Sequence, residues 1–184
     1  MGVTMMRFIK AFLFGITGLF IVITLLSLLI PGNVRVSRVV IINTSDVGKV
    51  YNQIAHFDNW KNWHPIFTMD SAKLIAHTSA IAGKDSGCII LHRGKEVRLK
   101  LIAADSSAVR FVLKSEGEND IENNIVFTSL PNQYAVQVEW RSLTRLHWYP
   151  WEKFYAIFMD KITGPGYEAA LNGLKEFVEK NPAK

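Results

Sequence analysis

Residues 11–30, AFLFGITGLFIVITLLSLLI, are twenty consecutive residues without a charged side chain. As a helix this run rises about 30 Å, the hydrocarbon thickness of a bilayer. It is apolar all round instead of along one stripe, which sets it apart from the core-facing helix of a water-soluble domain. A cleaved leader would want a shorter apolar region, about 7–15 residues, and a small-x-small cleavage site. LSLLIPGNV is a poor match to such a site. The run is therefore expected to be an uncleaved single-pass transmembrane helix, with residues 1–10 as its flank. Residues 31–33, Pro-Gly-Asn, form the whole linker, and three residues reach at most about 10 Å. The domain beyond the linker must sit close against the headgroups.

Beyond the anchor about 150 residues remain, enough for a buried core without disulfides or structural metal. Cys88 is the only cysteine, so neither an intramolecular disulfide nor a Cys-based zinc site is available. Of the net +5, Arg7 and Lys10 lie before the apolar run, leaving 19 basic against 16 acidic residues, +3. That mild excess, with no Lys/Arg cluster, argues against a nucleic-acid partner. Arg7, Lys10 and the amino terminus flank one side of the span, and Arg35, Arg38 and Lys49 the other. The balance is close, but long domains translocate largely regardless of charge, so N-inside with the domain outside is expected.

Residues 34–43, VRVSRVVIIN, are rich in β-branched residues and read as a strand. Thr44-Ser45-Asp46 supplies capping side chains, and Val47, Val50, Tyr51 and Ile54 come next at helical spacing. After FDNWKNWHP (57–65) a polar region of weak pattern runs to residue 86. From residue 87 the period is two, through about five strands joined by short turns at Gly94-Lys95, Asp105-Ser106-Ser107, SEGEND and Pro131-Asn132. In the last of these strands Tyr134, Val136, Val138 and Trp140 are expected to face one way. Short links between strands imply an antiparallel meander. The chain ends in helix: Phe154, Ile157, Phe158 and Ile162 are spaced for one face, Gly164-Pro165 interrupts, and Tyr167, Leu171, Leu174 and Val178 resume the stripe. This order gives an α+β domain with helices on one face of an antiparallel sheet.

Two segments carry a resemblance to a known family: VRVSRVVIINTSDVGKVYNQIAHFDNWKNWHP (34–65) and FYAIFMDKITGPGYEAALNGLKEFVEK (154–180). The D-x-x-W-x-x-W-x-P element after a first strand and helix, and the Gly-Pro and Gly-Leu-x-x-Leu runs of the last helix, resemble the START-like superfamily (SRPBCC, polyketide cyclase/dehydrase-like). More narrowly, the chain is similar to small bacterial members with an N-terminal membrane anchor. The resemblance covers residues 34–180, leaving 181–184 as a tail. It implies the helix-grip fold, a curved antiparallel sheet wrapped around a long C-terminal helix. It further implies a cavity between them for a hydrophobic small molecule or lipid; with the orientation expected above, a bacterial member would hold its domain on the periplasmic face of the inner membrane. It carries over no catalytic set, no metal and no cofactor.

Trp60, Trp63, His92, Phe111, Tyr134, Trp140, Phe158 and Leu171 are the candidates to line such a cavity or its rim. The alternative for each is plain core packing. His64 and His92 would be the bases of a cyclase- or hydrolase-like activity, but the histidines at 56, 64, 77, 92 and 147 show neither H-x-x-x-H nor H-E-x-x-H spacing. Cys88 on an apolar strand reads as a small buried hydrophobe. Glu116, Glu118, Asp120 and Glu122 lack the spacing of a calcium loop and read as a solvated hairpin. Trp148 and Trp151 either brace the entry to the last helix or rest at the membrane interface. A third reading is an envelope interaction protein with a filled core; nothing in the sequence specifies an oligomeric state.

Overall fold

The computed structural model describes residues 2–68, 72–78 and 87–181. Helix α1 (Gly2–Ser27) precedes strand β1 (Asn33–Ile42), helix α2 (Val47–Ala55), a 3-10 helix (Phe57–Asn62) and the single turn α3 (Pro65–Thr68). Strands β2 (Lys73–Thr78), β3 (Gly87–His92), β4 (Lys95–Ala104), β5 (Ala108–Ser115), β6 (Ile121–Leu130) and β7 (Ala135–Arg145) come after them, and helix α4 (Pro150–Lys180) ends the fold. The strands form a single curved antiparallel sheet in the order β1-β7-β6-β5-β4-β3-β2. The expected α+β meander is thus present. Strand β2 is an addition to it. Its pairing with β3 shifts register between Leu74 and Ala76, and such a bulge breaks the period-two alternation by which a strand is recognised. Residues 69–71 and 79–86 of the expected irregular stretch, and 182–184 of the tail, lie outside the described residues.

Helix α1 starts earlier than the apolar run and ends three residues before it does. Met5–Ser27 is long and apolar enough to cross a membrane, and none of its most apolar window is buried. Its last turn tightens: the N–H groups of Leu28, Leu29 and Ile30 donate to carbonyls three residues back, at 3.1–3.2 Å. Ser27 donates its hydroxyl to the Thr24 carbonyl at 2.7 Å. These bonds satisfy carbonyls that a helix end leaves open.

The core lies on the inner face of the sheet. Ile42, Val50, Ile54, Phe111, Ile125, Val136, Val138, Leu171, Leu174 and Val178 are almost completely buried there. Each such side chain stabilises the fold by roughly 1.5–3 kcal/mol. Asp46 caps α2 by accepting from Lys49 N–H at 2.9 Å. Helix α4 corrects two expectations. It is one 31-residue helix running through Pro165, not two segments. The proline forfeits one backbone bond, and beside it Gly164 lets the Arg38 guanidinium pack directly on the helix backbone, where any Cβ would collide with it. The second correction concerns its apolar face. The buried line runs through Lys153, Ala156, Gly164, Ala170, Leu171, Leu174 and Val178. Phe154, Phe158 and Ile162 point away from it and are exposed, and Ile157, beside the line, is exposed as well. Phe158 precedes Leu174 by sixteen residues, which at 3.6 residues per turn places it about 160° around the helix.

Candidate functional site

FDNWKNWHP closes one end of the sheet by completing α2. The last carbonyls of a helix have no partner within it. Here Asn52 O accepts from Asn59 Nδ2 at 2.9 Å, Gln53 O from Trp63 Nε1 at 3.1 Å, and Ile54 O from Trp60 Nε1 at 3.0 Å. The two indoles cap the helix with their nitrogens and bury their rings in the core, each only 3% exposed. Their spacing thus serves hydrogen bonding and packing together.

Around them stands an aromatic plug. Trp60 meets Phe57, Phe111 and Trp140 edge-on, with ring centroids 5.2, 5.4 and 5.8 Å apart. His64 stacks on Trp60 at 5.1 Å with the planes 5° apart. Its Nδ1 accepts the Ile66 N–H at 3.2 Å, which requires that nitrogen to be unprotonated. Burial lowers the His64 pKa to about 4, so the ring is neutral and held by packing. Trp140 donates to Asn123 Oδ1 at 2.9 Å and touches Tyr167 of α4 at 5.2 Å. Leu171 is buried in the same cluster. The structure thus brings Trp60, Trp63, Phe111, Trp140 and Leu171 together, and in doing so fills that half of the space between sheet and helix.

The other half is open. A cleft of about 710 Å³ lies between the inner face of the sheet and the first five turns of α4. Its sheet wall is Val36 of β1, Ile121 of β6, and Ser142 and Thr144 of β7. Its helix wall is Tyr155, Met159, Thr163 and Tyr167. The β5–β6 turn (Gly117, Glu118, Asn119) and the residues entering α4 (Leu146, His147, Tyr149) form the rim. Tyr167, hydrogen-bonded to Ser142, separates this cleft from the plug, and burial raises its hydroxyl pKa. At the rim Glu152 accepts the His147 N–H at 2.8 Å, lies 3.1 Å from His147 Nδ1, and accepts from Asn119 Nδ2 at 3.3 Å. Desolvation alone would raise the carboxyl pKa, but these hydrogen bonds outweigh it and hold the group below its ordinary value. A mostly apolar pocket with a few convergent hydroxyls is the usual form of a small-molecule site.

Three sequence-derived candidates lie elsewhere. Tyr134 precedes β7 in a turn with φ of 48°, so it leaves the alternation that Val136 begins and stands 78% exposed. Phe158 is on the outer side of α4. His92 shares the inner face with Cys88 and Ile90, but at the end of β3, opposite Lys95 and away from the cleft. Burial pushes the Cys88 thiol up to about 12, with the Asp58 charge adding to it, so it stays protonated. Glu118, Asp120 and Glu122 pair with Lys95, Lys114 and Arg145. Among the described residues no three His, Cys, Asp or Glu side chains converge as for a metal ion. The residues that do line the cleft leave a trace in the chain: along the inward positions of β7 the series Val136, Val138, Trp140 gives way to Ser142 and Thr144. Large side chains stop where the space opens.

No protein-family model and no curated protein sequence matches this chain. Solved structures do. A START superfamily protein from Mycobacterium smegmatis superposes with a TM-score of 0.57 at 13% identity, covering 80% of this chain and 98% of that one. The fold is START-like. The same arrangement recurs in a Chromobacterium violaceum protein, with a TM-score of 0.58, 15% identity, and 82% and 100% coverage. The di-domain ARO/CYC StfQ of the steffimycin biosynthetic pathway gives 0.61 at 9% identity, over 80% of this chain and 51% of that protein. In this START-like fold the aromatic plug fills one half of the space between sheet and last helix, and among the described residues the half beside α1 is open.

Proposed function

We propose that the protein is a membrane-anchored binding domain that takes a hydrophobic small molecule or lipid into the cleft between the sheet and the first half of α4. The observation that carries this reading is the position of the cleft. It is bounded by Val36 near the start of β1, Leu146 just after β7 and Glu152 in the first turn of α4. That is also where α1 arrives, with five residues (28–32) between it and β1. An apolar ligand leaving the bilayer would enter at this end and meet apolar walls, with Thr144 and the hydroxyl oxygens of Ser142 and Thr163, whose hydrogens go to the Val36 and Met159 carbonyls, to hydrogen-bond a polar group. The flanking charges are nearly balanced, and because a long domain translocates largely regardless of charge the reading takes the amino terminus as inside and the domain as periplasmic. Glu152 and His147 sit at the mouth, suited to meeting a headgroup.

Native mass spectrometry of the full-length protein released from membranes tests the reading. We expect a reproducible bound lipid or apolar metabolite that is lost in Met159→Trp, whose larger indole obstructs the middle of the cleft's helix wall. Added fluorescent fatty acid should bind at least about tenfold more weakly to that variant, about 1.4 kcal/mol. Lipids merely surrounding α1 would survive the substitution. Wild-type protein that is consistently empty and ignores added lipids overturns the proposal.

A further inference from the structure

The first half of α4 turns an apolar stripe away from the protein. Trp151, Phe154, Tyr155, Phe158 and Ile162 are 62, 36, 51, 56 and 53% exposed. Their three- and four-residue spacing places them within an arc of roughly 100°, opposite the buried line through Lys153, Ala156 and Gly164. Beyond Pro165 the same outward positions are Ala169, Asn172 and Glu176, and the stripe ends. Single exposed hydrophobes are ordinary, but a contiguous row marks a surface with a partner.

Its position identifies that partner. The stripe begins at the end of α4 that contacts α1. Lys153 Nζ donates to the Ile30 carbonyl at 3.0 Å, setting a cation against the C-terminal, partially negative end of α1. Leu146 N–H donates to Gly32 O at 2.8 Å, so the linker is fixed on both sides. The exposed Leu28 and Leu29 at the foot of α1 extend the apolar surface toward it. Composition agrees: Trp148, Trp151 and Tyr155 are the amphipathic rings favoured at headgroup depth, and Phe158 and Ile162 supply acyl contact.

We infer that residues 148–162 lie in the headgroup–acyl boundary of the leaflet from which α1 emerges, as an interfacial helix built into the START-like domain. From Trp151 to Ile162 the helix rises about 16 Å. An interfacial helix sinks only about 5–10 Å, so α4 rests inclined along the surface instead of standing on it. Tyr155 belongs both to the stripe and to the cleft wall. The cleft therefore opens beside the acyl region, and an apolar ligand passes between bilayer and protein without crossing water. The inference rests on α1 spanning the bilayer.

The test uses the full-length protein in phosphatidylcholine–phosphatidylglycerol vesicles whose phosphatidylcholine is brominated near the headgroup end of its acyl chains. Trp60, Trp63 and Trp140 are buried, so quenching reports Trp148 and Trp151. We expect strong quenching in the wild type and loss of most of it in the Trp148→Phe/Trp151→Phe double variant. Adding Phe158→Trp to that double variant should restore it. Protein that resists alkaline extraction yet is unquenched, or is quenched equally in the double variant, overturns the inference and leaves the anchor standing. Unquenched protein that self-associates assigns the face to a second copy and overturns it too. Release by alkaline extraction removes the anchor reading, and this inference with it. Ligand retention by native mass spectrometry is scored separately, so a bound ligand with an unquenched stripe separates the two proposals.

Discussion

Residues 165–180 of α4 bury Ala170, Leu171, Leu174 and Val178 and turn Glu168, Asn172 and Glu176 outward. Residues 150–164 reverse the weighting: small or polar side chains (Lys153, Ala156, Gly164) face in, and Trp151, Phe158 and Ile162 face out. The protein opposite each half differs in the same way. The second half lies over the aromatic plug, with Gly173 backed directly onto the Trp63 carbonyl. The first half leaves the 710 Å³ cleft. One continuous helix thus has a closed, conventionally amphipathic half and an open half whose larger apolar surface is on its outer side. Both halves pack on the sheet, but the second buries its larger apolar side chains there, whereas the first buries small or polar ones and turns its larger apolar side chains outward.

The sharpest way to break this comparison is truncation on the two sides. Leu174→Ala should lose about 2–5 kcal/mol of stability, measured by urea titration of the full chain in detergent micelles. Phe158→Ala should change it by no more than about 0.5 kcal/mol, as for other surface sites. Comparable losses would mean that the outer stripe is packed within the protein and that the two halves are alike.

Acid should loosen the closed half selectively. His64 titrates near 6.5 in an unfolded chain and at about 4 in the plug. Because the native pKa is the lower one, the unfolded state binds the proton that the native state refuses. Stability from this group is complete above about pH 6.5 and falls as the pH drops toward 4, by at most roughly 3 kcal/mol. His64 as a residue is only half-buried, which reduces the loss. Urea titrations across that range should show the slope in the wild type and its absence in His64→Gln.

The smallest contrast uses two glycines of the second half. Gly173→Ala drives a methyl into the Trp63 carbonyl oxygen and should cost about 1–3 kcal/mol. Gly166→Ala meets nothing within 4 Å and should gain about 0.5–1 kcal/mol of helix stability. Equal shifts in thermal midpoint for the two would show that the plug does not rest on α4.

Much of the architecture is legible along the chain. Strands β3 to β7 are marked by period-two stretches joined by short turns, cleanest in β4 up to Leu101 and in β7, and the Trp60-x-x-Trp63-x-Pro65 element marks the corner it closes. Strand β2 escapes because its bulge erases the period. Tyr134 fits the inward alternation of β7 on paper, but it sits one residue too early, in a positive-φ turn that rotates the side chain out. Dense aromatics in the sequence point to a cavity wall, yet dense aromatics fill space. The hollow is where β7 turns to Ser142 and Thr144.

By itself the sequence determined what is local: a charge-free run long enough to span a bilayer, the order of strands and helices, and the caps and turns that separate them. These come from backbone geometry and side-chain chemistry over a few residues. Only the tertiary structure decided which side of α4 faces the sheet and which half of the space beneath it stays open. A stripe of Trp, Phe and Ile has the same period whether it meets a protein core or points outward. The direction of a rigid helix is set by its packing as a whole, which here buries Leu171, Leu174 and Val178 and brings Gly173 against the Trp63 carbonyl.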